Sequence, residues 1–232
     1  MRLRVIGPGR AGTSMARALA AVGWDVVTPI GRGDDPAAAA VGVDLLVIAT
    51  PDAAVAETAS RVRPVPATVV AHLSGSLGLD SLRPHARRAA VHPLRSIPGP
   101  DTDLQGAWFA VTGDPLAARV VGDLGGHPLA VADADRVAYH AAACIASNHL
   151  VALLGQVERV AGAAGVPLAA YADLVRQTVD NVFALGPDAA LTGPVRRGDE
   201  VTVAGHIAAL DPSERAAYEA MADAARRLVP VR

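Results

Sequence analysis

Residues 2–12 read RLRVIGPGRAG, and the reading of this stretch decides the fold. Gly7, Gly9 and Gly12 form a G-x-G-x-x-G pattern, which is weak alone. Here it closes an apolar run at Val5 and Ile6 and opens an alanine-rich helical run from Thr13 to Val22. Strand, tight turn and helix in that order is the context in which the pattern binds a dinucleotide. The first glycine permits the turn, the second lets a diphosphate approach the backbone, and the third lets helix pack closely on strand. The N–H groups at the helix start then face the anion. Gly7, Gly9, Arg10, Ala11 and Gly12 are the expected cradle; the bland alternative is a glycine-rich turn that binds nothing.

Outward from this loop, Trp24–Ile30 reads as a second strand. At its end a dinucleotide fold commonly places an acidic residue on the ribose 2′-hydroxyl. Arg32 occupies that neighbourhood instead, and a guanidinium there binds a 2′-phosphate that a carboxylate would repel. NADP is therefore favoured, with NAD left possible by Asp34 and Asp35. Ala37–Ala40 reads as part of a helix. The run DLLVIATPD, 44–52, is a buried parallel-type strand, and Thr50 and Pro51 at its carboxyl end are expected to flank the nicotinamide ribose. A helix at 53–62 follows, then a strand at 68–73 ending in Ser74-Gly75-Ser76. That small-residue turn is either a simple turn or the place where the reacting part of a substrate sits. Further strands are expected at 88–92, 107–112 and 126–131, with a helix at 115–124. The alternation predicts a doubly wound parallel sheet.

From Asp133 the pattern is helical throughout. Residues 137–157 carry no Asp, Glu, Lys or Arg, so the stretch is long enough to span a bilayer. Its Ala content and its His, Ser, Asn and Gln residues favour a buried central helix packed against a second subunit. Helices are also expected at 168–185, 199–210 and 212–228, with a loop at 190–199. The predicted domains are 1–130, a Rossmann-like dinucleotide-binding sheet, and 131–232, an all-helical domain.

Composition sets limits. With 51% hydrophobic but only 3% aromatic residues among 232, the core is built of Ala, Val and Leu. A net charge of −2 gives no reason to expect nucleic acid or an anionic membrane as partner. The single cysteine, Cys144, suits a reducing cytoplasm, and the glycine loop interrupts what would be a signal peptide's apolar core. All 21 basic residues are arginine, which excludes Schiff-base and lysine-acid chemistry. No metal site is expected, since one cysteine and scattered histidines do not make a zinc centre. A hydrolase is disfavoured because Leu73-Ser74-Gly75-Ser76 lacks the G-x-S-x-G elbow.

The motifs GPGRAG at 7–12, IATPD at 48–52, HLSG at 72–75, HPL at 92–94, HAAACIASN at 140–148 and ALTGPVRRGD at 190–199 carry a resemblance. Over essentially its full length the chain resembles a bacterial family of Rossmann-like candidate oxidoreductases with a C-terminal helical domain of unknown function. More distantly it is similar to ketopantoate reductases, pyrroline-carboxylate reductases, and the 6-phosphogluconate and β-hydroxyacid dehydrogenases. The resemblance implies NAD(P) binding, a dimerising helical domain and a substrate cleft between domains, but no particular substrate.

The distant relatives place a lysine, and an asparagine one turn later, on the first long helix after the sheet. In this chain His140, Cys144 and Asn148 lie at i, i+4 and i+8, on one helical face. His140 is the expected general acid–base in place of the amine, the unperturbed imidazole pKa being ~6.5. Its alternative is a hydrogen-bonded core histidine. Asn148 is read as orienting substrate or as an interhelical contact, and Ser74 as a catalytic neighbour. Arg196 and Arg197, beside a helix whose expected N-cap is Asp199, form an anion site for substrate or are solvated charges. The expected function is NADP-dependent hydride transfer to or from a small anionic keto, imino or hydroxy acid in a cytoplasmic homodimer. The rival is a non-catalytic NAD(P)-binding sensor that lost the dehydrogenase lysine.

Overall fold

The computed structural model describes residues 1–230, divided into two compact units, Met1–Ser147 and Asn148–Arg232. The first holds a seven-stranded sheet of order β2-β1-β3-β4-β5-β6-β7. Its strands are β1 (Arg2–Ile6), β2 (Asp25–Val26), β3 (Leu45–Ile48), β4 (Val69–His72), β5 (Arg88–Pro93), β6 (Trp108–Gly113) and β7 (His127–Ala130). Helices α1 (Arg10–Ala21), α2 (Asp52–Arg61) and α3 (Leu116–Asp123) complete the strand–helix alternation. This is a Rossmann-like α/β fold. LLVI of β3 and VVAH of β4 are buried at every position, as central strands covered on both faces must be. One core holds Leu3, Met15, Leu19, Leu45 and Phe109; another holds Ile6, Leu46, Ile48, Val55 and Leu82.

Several expectations need correction. The sheet is parallel from β2 through β5, but β6 pairs antiparallel to β5, and β7 runs parallel to β6. The link between β5 and β6 is the Pro/Gly-rich loop 94–107 with no helix, and a parallel return needs a longer crossover. The expected strand 24–30 keeps only Asp25–Val26 in the ladder, with one further bridge between Ile6 and Ile30. Pro29 lies in the gap and has no N–H to donate. Ala37–Ala40 is a set of turns between Pro36 and Gly42, not helix.

The sheet ends at Ala130, where the domain boundary was expected, while the first compact unit continues to Ser147. Helix α4 (Arg136–Cys144), a π-turn (Ile145–His149) and α5 (Leu150–Ala163) follow. Within the single chain the helix expected to pack against a second subunit is exposed: Val137, Ile145 and Val151 are 68%, 58% and 70% exposed. Asp133–Ala163 has the length and apolarity of a membrane span, and its most apolar 18-residue window holds no buried residue.

The second unit is helical: α5, α6 (Ala172–Leu185), α7 (Pro187–Ala190), α8 (Gly193–Arg197), α9 (Glu200–Ala209) and α10 (Pro212–Arg226). The loop expected at 190–199 contains α8, whose Pro194 suits a helix's first turn and whose Gly198 ends it at φ +70°. Asp199 caps α9 through the Thr202 N–H at 3.0 Å.

Candidate functional site

The carboxyl ends of β1, β3, β4 and β5 carry the candidate site, as expected at the ligand-binding edge of such a sheet. The glycine loop shows three distinct demands. Gly7 has φ +86°, and a Cβ there would stand 2.9 Å from the Ala49 carbonyl oxygen. At Gly12 a Cβ would stand 2.4 Å from the Gly7 carbonyl oxygen and 2.9 Å from Ala49 Cβ, so α1 packs directly on the loop and β3. Gly9 has nothing within 4 Å of its Cβ position. It is also the N-cap of α1, with no side-chain cap and no acidic residue in the first turn. Arg10 and Ala11 begin the helix. The result is an open, uncapped helix N-terminus, which favours an anion.

Beyond the second strand Arg32 is exposed and makes no hydrogen bond or ion pair among the described residues. Asp34 turns its carboxylate onto the Gly31 N–H at 2.7 Å, and Asp35 accepts from the Ala37 N–H at 3.0 Å. Both carboxylates are thus committed to the local turn, and the free charge at the strand end is positive. Thr50 and Pro51 follow β3, with the Thr50 N within 3.1 Å of a Gly7 Cβ position. The Thr50 hydroxyl is buried without a hydrogen-bond partner. Pro51 is the N-cap of α2. Loop, Thr50 and Pro51 are therefore one cluster.

After β4 the Ser74-Gly75-Ser76 turn is locked. The Ser74 hydroxyl donates to Asp52 Oδ2 at 2.6 Å and accepts from the N–H groups of Ser76 and Leu77 at 3.2 and 3.1 Å. Ser76 donates to the same carboxylate oxygen at 3.0 Å. Ser74 shapes the turn with a fully engaged hydroxyl. Arg136, with no exposed surface, donates to the Ser74 carbonyl and to the Thr112 hydroxyl, each at 2.9 Å, joining α4 to β4 and β6.

Two imidazoles close on this turn. A Cβ at Gly75 would stand 2.4 Å from His140 Nδ1 and 3.0 Å from His92 Nε2. Their rings meet edge to face at 5.6 Å. His140 Nδ1 is buried without a partner, and its Nε2 lies 3.7 Å from Cys144 Sγ. His92 Nδ1 lies 2.8 Å from the Tyr139 hydroxyl. Burial, then His140 and Arg136, pushes the His92 pKa down to about 4. His72 has no exposed surface; burial and then Arg136 bring it to about 4 as well. Both rings are neutral at pH 7 and cannot serve as acids there. Among the described residues no three His, Cys, Asp or Glu side chains are arranged to hold a metal ion.

Of the expected site residues, the structure joins Gly7–Gly12 with Thr50 and Pro51, and Ser74 with His140. Asn148 falls in the π-turn, whose wider spacing breaks the i, i+4, i+8 repeat beyond Cys144. Arg196 and Arg197 end α8 in the second unit, exposed and without hydrogen-bond partners among the described residues. Sequence reasoning passed over Asp52, His92, Arg136 and Tyr139. One signal was available: Arg136, His140 and Cys144 are spaced four apart, so Arg136 shares the face of His140.

A family model described as a domain of unknown function, DUF2520, matches residues 107–225, just over half of the chain. The chain belongs to the DUF2520 family. No curated protein matches it. Solved structures share its fold. A candidate NADP oxidoreductase from Bacteroides fragilis superposes with a TM-score of 0.81 at 18% identity, over 97% of this chain and 98% of that one. A protein from Thermotoga maritima gives 0.74 at 22% identity, over 97% of each chain. A reductive aminase from Aspergillus terreus, in complex with NADPH and ethyl-5-oxohexanoate, gives 0.67 at 18% identity, over 97% and 93%.

Proposed function

We propose that this DUF2520 protein is an NADP-dependent oxidoreductase that transfers a hydride to or from a small anionic keto, imino or hydroxy acid. The observation that carries the reading is the open flank of Gly9 at the uncapped start of α1, with the unpaired Arg32 at the end of the neighbouring strand. The residues fit the cofactor: backbone N–H groups at Arg10–Gly12 would hold the diphosphate beside the open flank of Gly9, Arg32 the 2′-phosphate, and Thr50 and Pro51 the nicotinamide ribose. When bound, the nicotinamide supplies or accepts the hydride. The fold is shared with an enzyme crystallised with NADPH, which supports the same choice.

In this reading His140 holds and moves the proton at the substrate's reacting heteroatom. Ser74, anchored through Asp52 and Arg136, keeps the Gly75 turn in place beneath the ring. In the second unit, Asn148 is taken as a substrate-orienting amide and Arg196 or Arg197 as an anion-binding group. The free thiol of Cys144 suits a cytoplasmic setting.

Titration calorimetry with NADPH, NADP, NADH and NAD tests the cofactor. NADP(H) is expected to bind more tightly than NAD(H), and Arg32→Ala to weaken NADP(H) by about tenfold or more while leaving NAD(H) unchanged. Absence of binding by all four overturns the oxidoreductase reading.

The chain is further proposed to pair with a second copy of itself. Val137, Val151, Phe183 and Val201 are 68–87% exposed, and Leu153, Val157, Val160 and Met221 line an apolar groove in the second unit. Sedimentation equilibrium is expected to return twice the 23.6 kDa chain mass, and Val151→Asp to shift it toward one. A monomer in the wild type defeats this part of the proposal.

A further inference from the structure

We propose that Tyr139 is a positioning residue that holds His92 in the tautomer carrying its proton on Nε2. His92 then offers its Nε2–H, beside Nδ1 of His140, to an acceptor atom of the substrate, a carbonyl oxygen or an imine nitrogen. The choice of substrate atom rests on the oxidoreductase reading; the tautomer does not.

The argument starts from which nitrogen faces which neighbour. His92 Nδ1 meets the Tyr139 hydroxyl at 2.8 Å, and Nε2 faces Gly75 on the side where His140 Nδ1 also lies. Burial raises the pKa of Tyr139, so its hydroxyl keeps its proton, and His92 is its one hydrogen-bond partner among the described residues. A phenol donates more strongly than it accepts, and a neutral imidazole offers one bare nitrogen. The hydrogen bond therefore runs from the Tyr139 O–H to Nδ1, which leaves the single imidazole proton on Nε2.

The surroundings keep His92 neutral. It faces His140, Arg136 and Tyr139 from α4, Asp52 from α2 and His72 from β4. Of these, His140, Arg136 and His72 act with burial against a positive ring, while Asp52 alone opposes them. His92 thus donates without ionising. His140 Nδ1, on the same side of Gly75, is buried without a hydrogen-bond partner among the described residues. A donor at His92 Nε2 suits an atom with lone pairs and disfavours an ammonium group.

Long-range 1H–15N correlation spectra of the full chain, labelled with 15N-histidine at pH 7, read the tautomer directly. His92 is expected to show a protonated Nε2 and an Nδ1 in the hydrogen-bonded acceptor range. Tyr139→Phe, which keeps the ring and removes the donor, is expected to shift His92 toward a mixture of tautomers. His140→Ala is expected to move the His92 titration midpoint upward from about 4. A wild-type His92 protonated on Nδ1, or cationic at pH 7, overturns the inference even where a variant does not fold. So does an unchanged tautomer in folded Tyr139→Phe, or an unmoved midpoint in folded His140→Ala. NADPH titration of the same sample separates the two ideas: an Nε2–H tautomer without NADPH binding leaves Tyr139 in its role and removes the oxidoreductase reading.

Discussion

The glycine loop after β1 and the Ser74-Gly75-Ser76 turn after β4 both end parallel strands of one sheet, and each leaves room beside a glycine. At Gly9 that room is empty, next to helix N–H groups without a cap. At Gly75 it is taken by the chain's own imidazoles, His140 and His92. Small residues at a strand end therefore do two jobs in this protein. One leaves the backbone open; the other admits a side chain.

Substitutions along these turns can break or sharpen that contrast. Gly12→Ala is expected to have the largest effect, because its methyl meets the Gly7 carbonyl oxygen and Ala49 Cβ, neither of which can swing aside. A loss of about 3 kcal/mol or more in urea unfolding is expected. A loss under about 1 kcal/mol would mean that α1 shifts freely, and the rigid cradle would be lost with it.

Acid comes next, and it acts on the second turn's surroundings. The unfolded imidazole takes its proton below about 6.5, whereas His72 and His92 hold out to about 4 when folded. Between those values the unfolded chain binds more protons, so stability falls as pH drops from 6.5 toward 4, on the order of 2 kcal/mol for each ring. Urea midpoints measured from pH 7 to pH 4 should show the decline, and His72→Leu should flatten part of it. A flat wild-type profile would mean that neither ring is held neutral.

Gly75→Ala is expected to cost about 1 kcal/mol, since the atoms in its way are side chains that can rotate. Its main consequence should be a displaced His140 ring, read as a shift of the His140 NMR signals. Gly9→Ala should change stability least, by less than about 1 kcal/mol. It should nevertheless weaken NADPH about tenfold or more by crowding the helix start, seen in the same calorimetry. Equal behaviour of Gly9→Ala and Gly12→Ala in stability would erase the distinction between the two kinds of glycine.

Much of this was legible in the residues because it rests on local pattern. The apolar runs at 2–6, 45–48 and 69–72 name their strands, and GPGRAG names its own turn, since each glycine's need is met by neighbours close in sequence or on the adjoining strand. What the pattern missed involved partners far along the chain. The reversal of β6 and β7 depends on the length and helix content of a loop, not on the strands themselves. Arg136 reads as an ordinary helix-start arginine until the fold sets it against Ser74, 62 residues earlier.

The sequence by itself determined the Rossmann-like α/β class, the glycine turn between β1 and α1 and the absence of amine chemistry, because periodicity, glycine geometry and residue inventory are local or compositional properties. Tertiary structure alone decided which histidines meet. His92 and His140 stand 48 positions apart and converge only because the end of β5 and the middle of α4 both lie against Gly75. Their neutrality and tautomer follow from burial and from neighbours that no spacing rule could place.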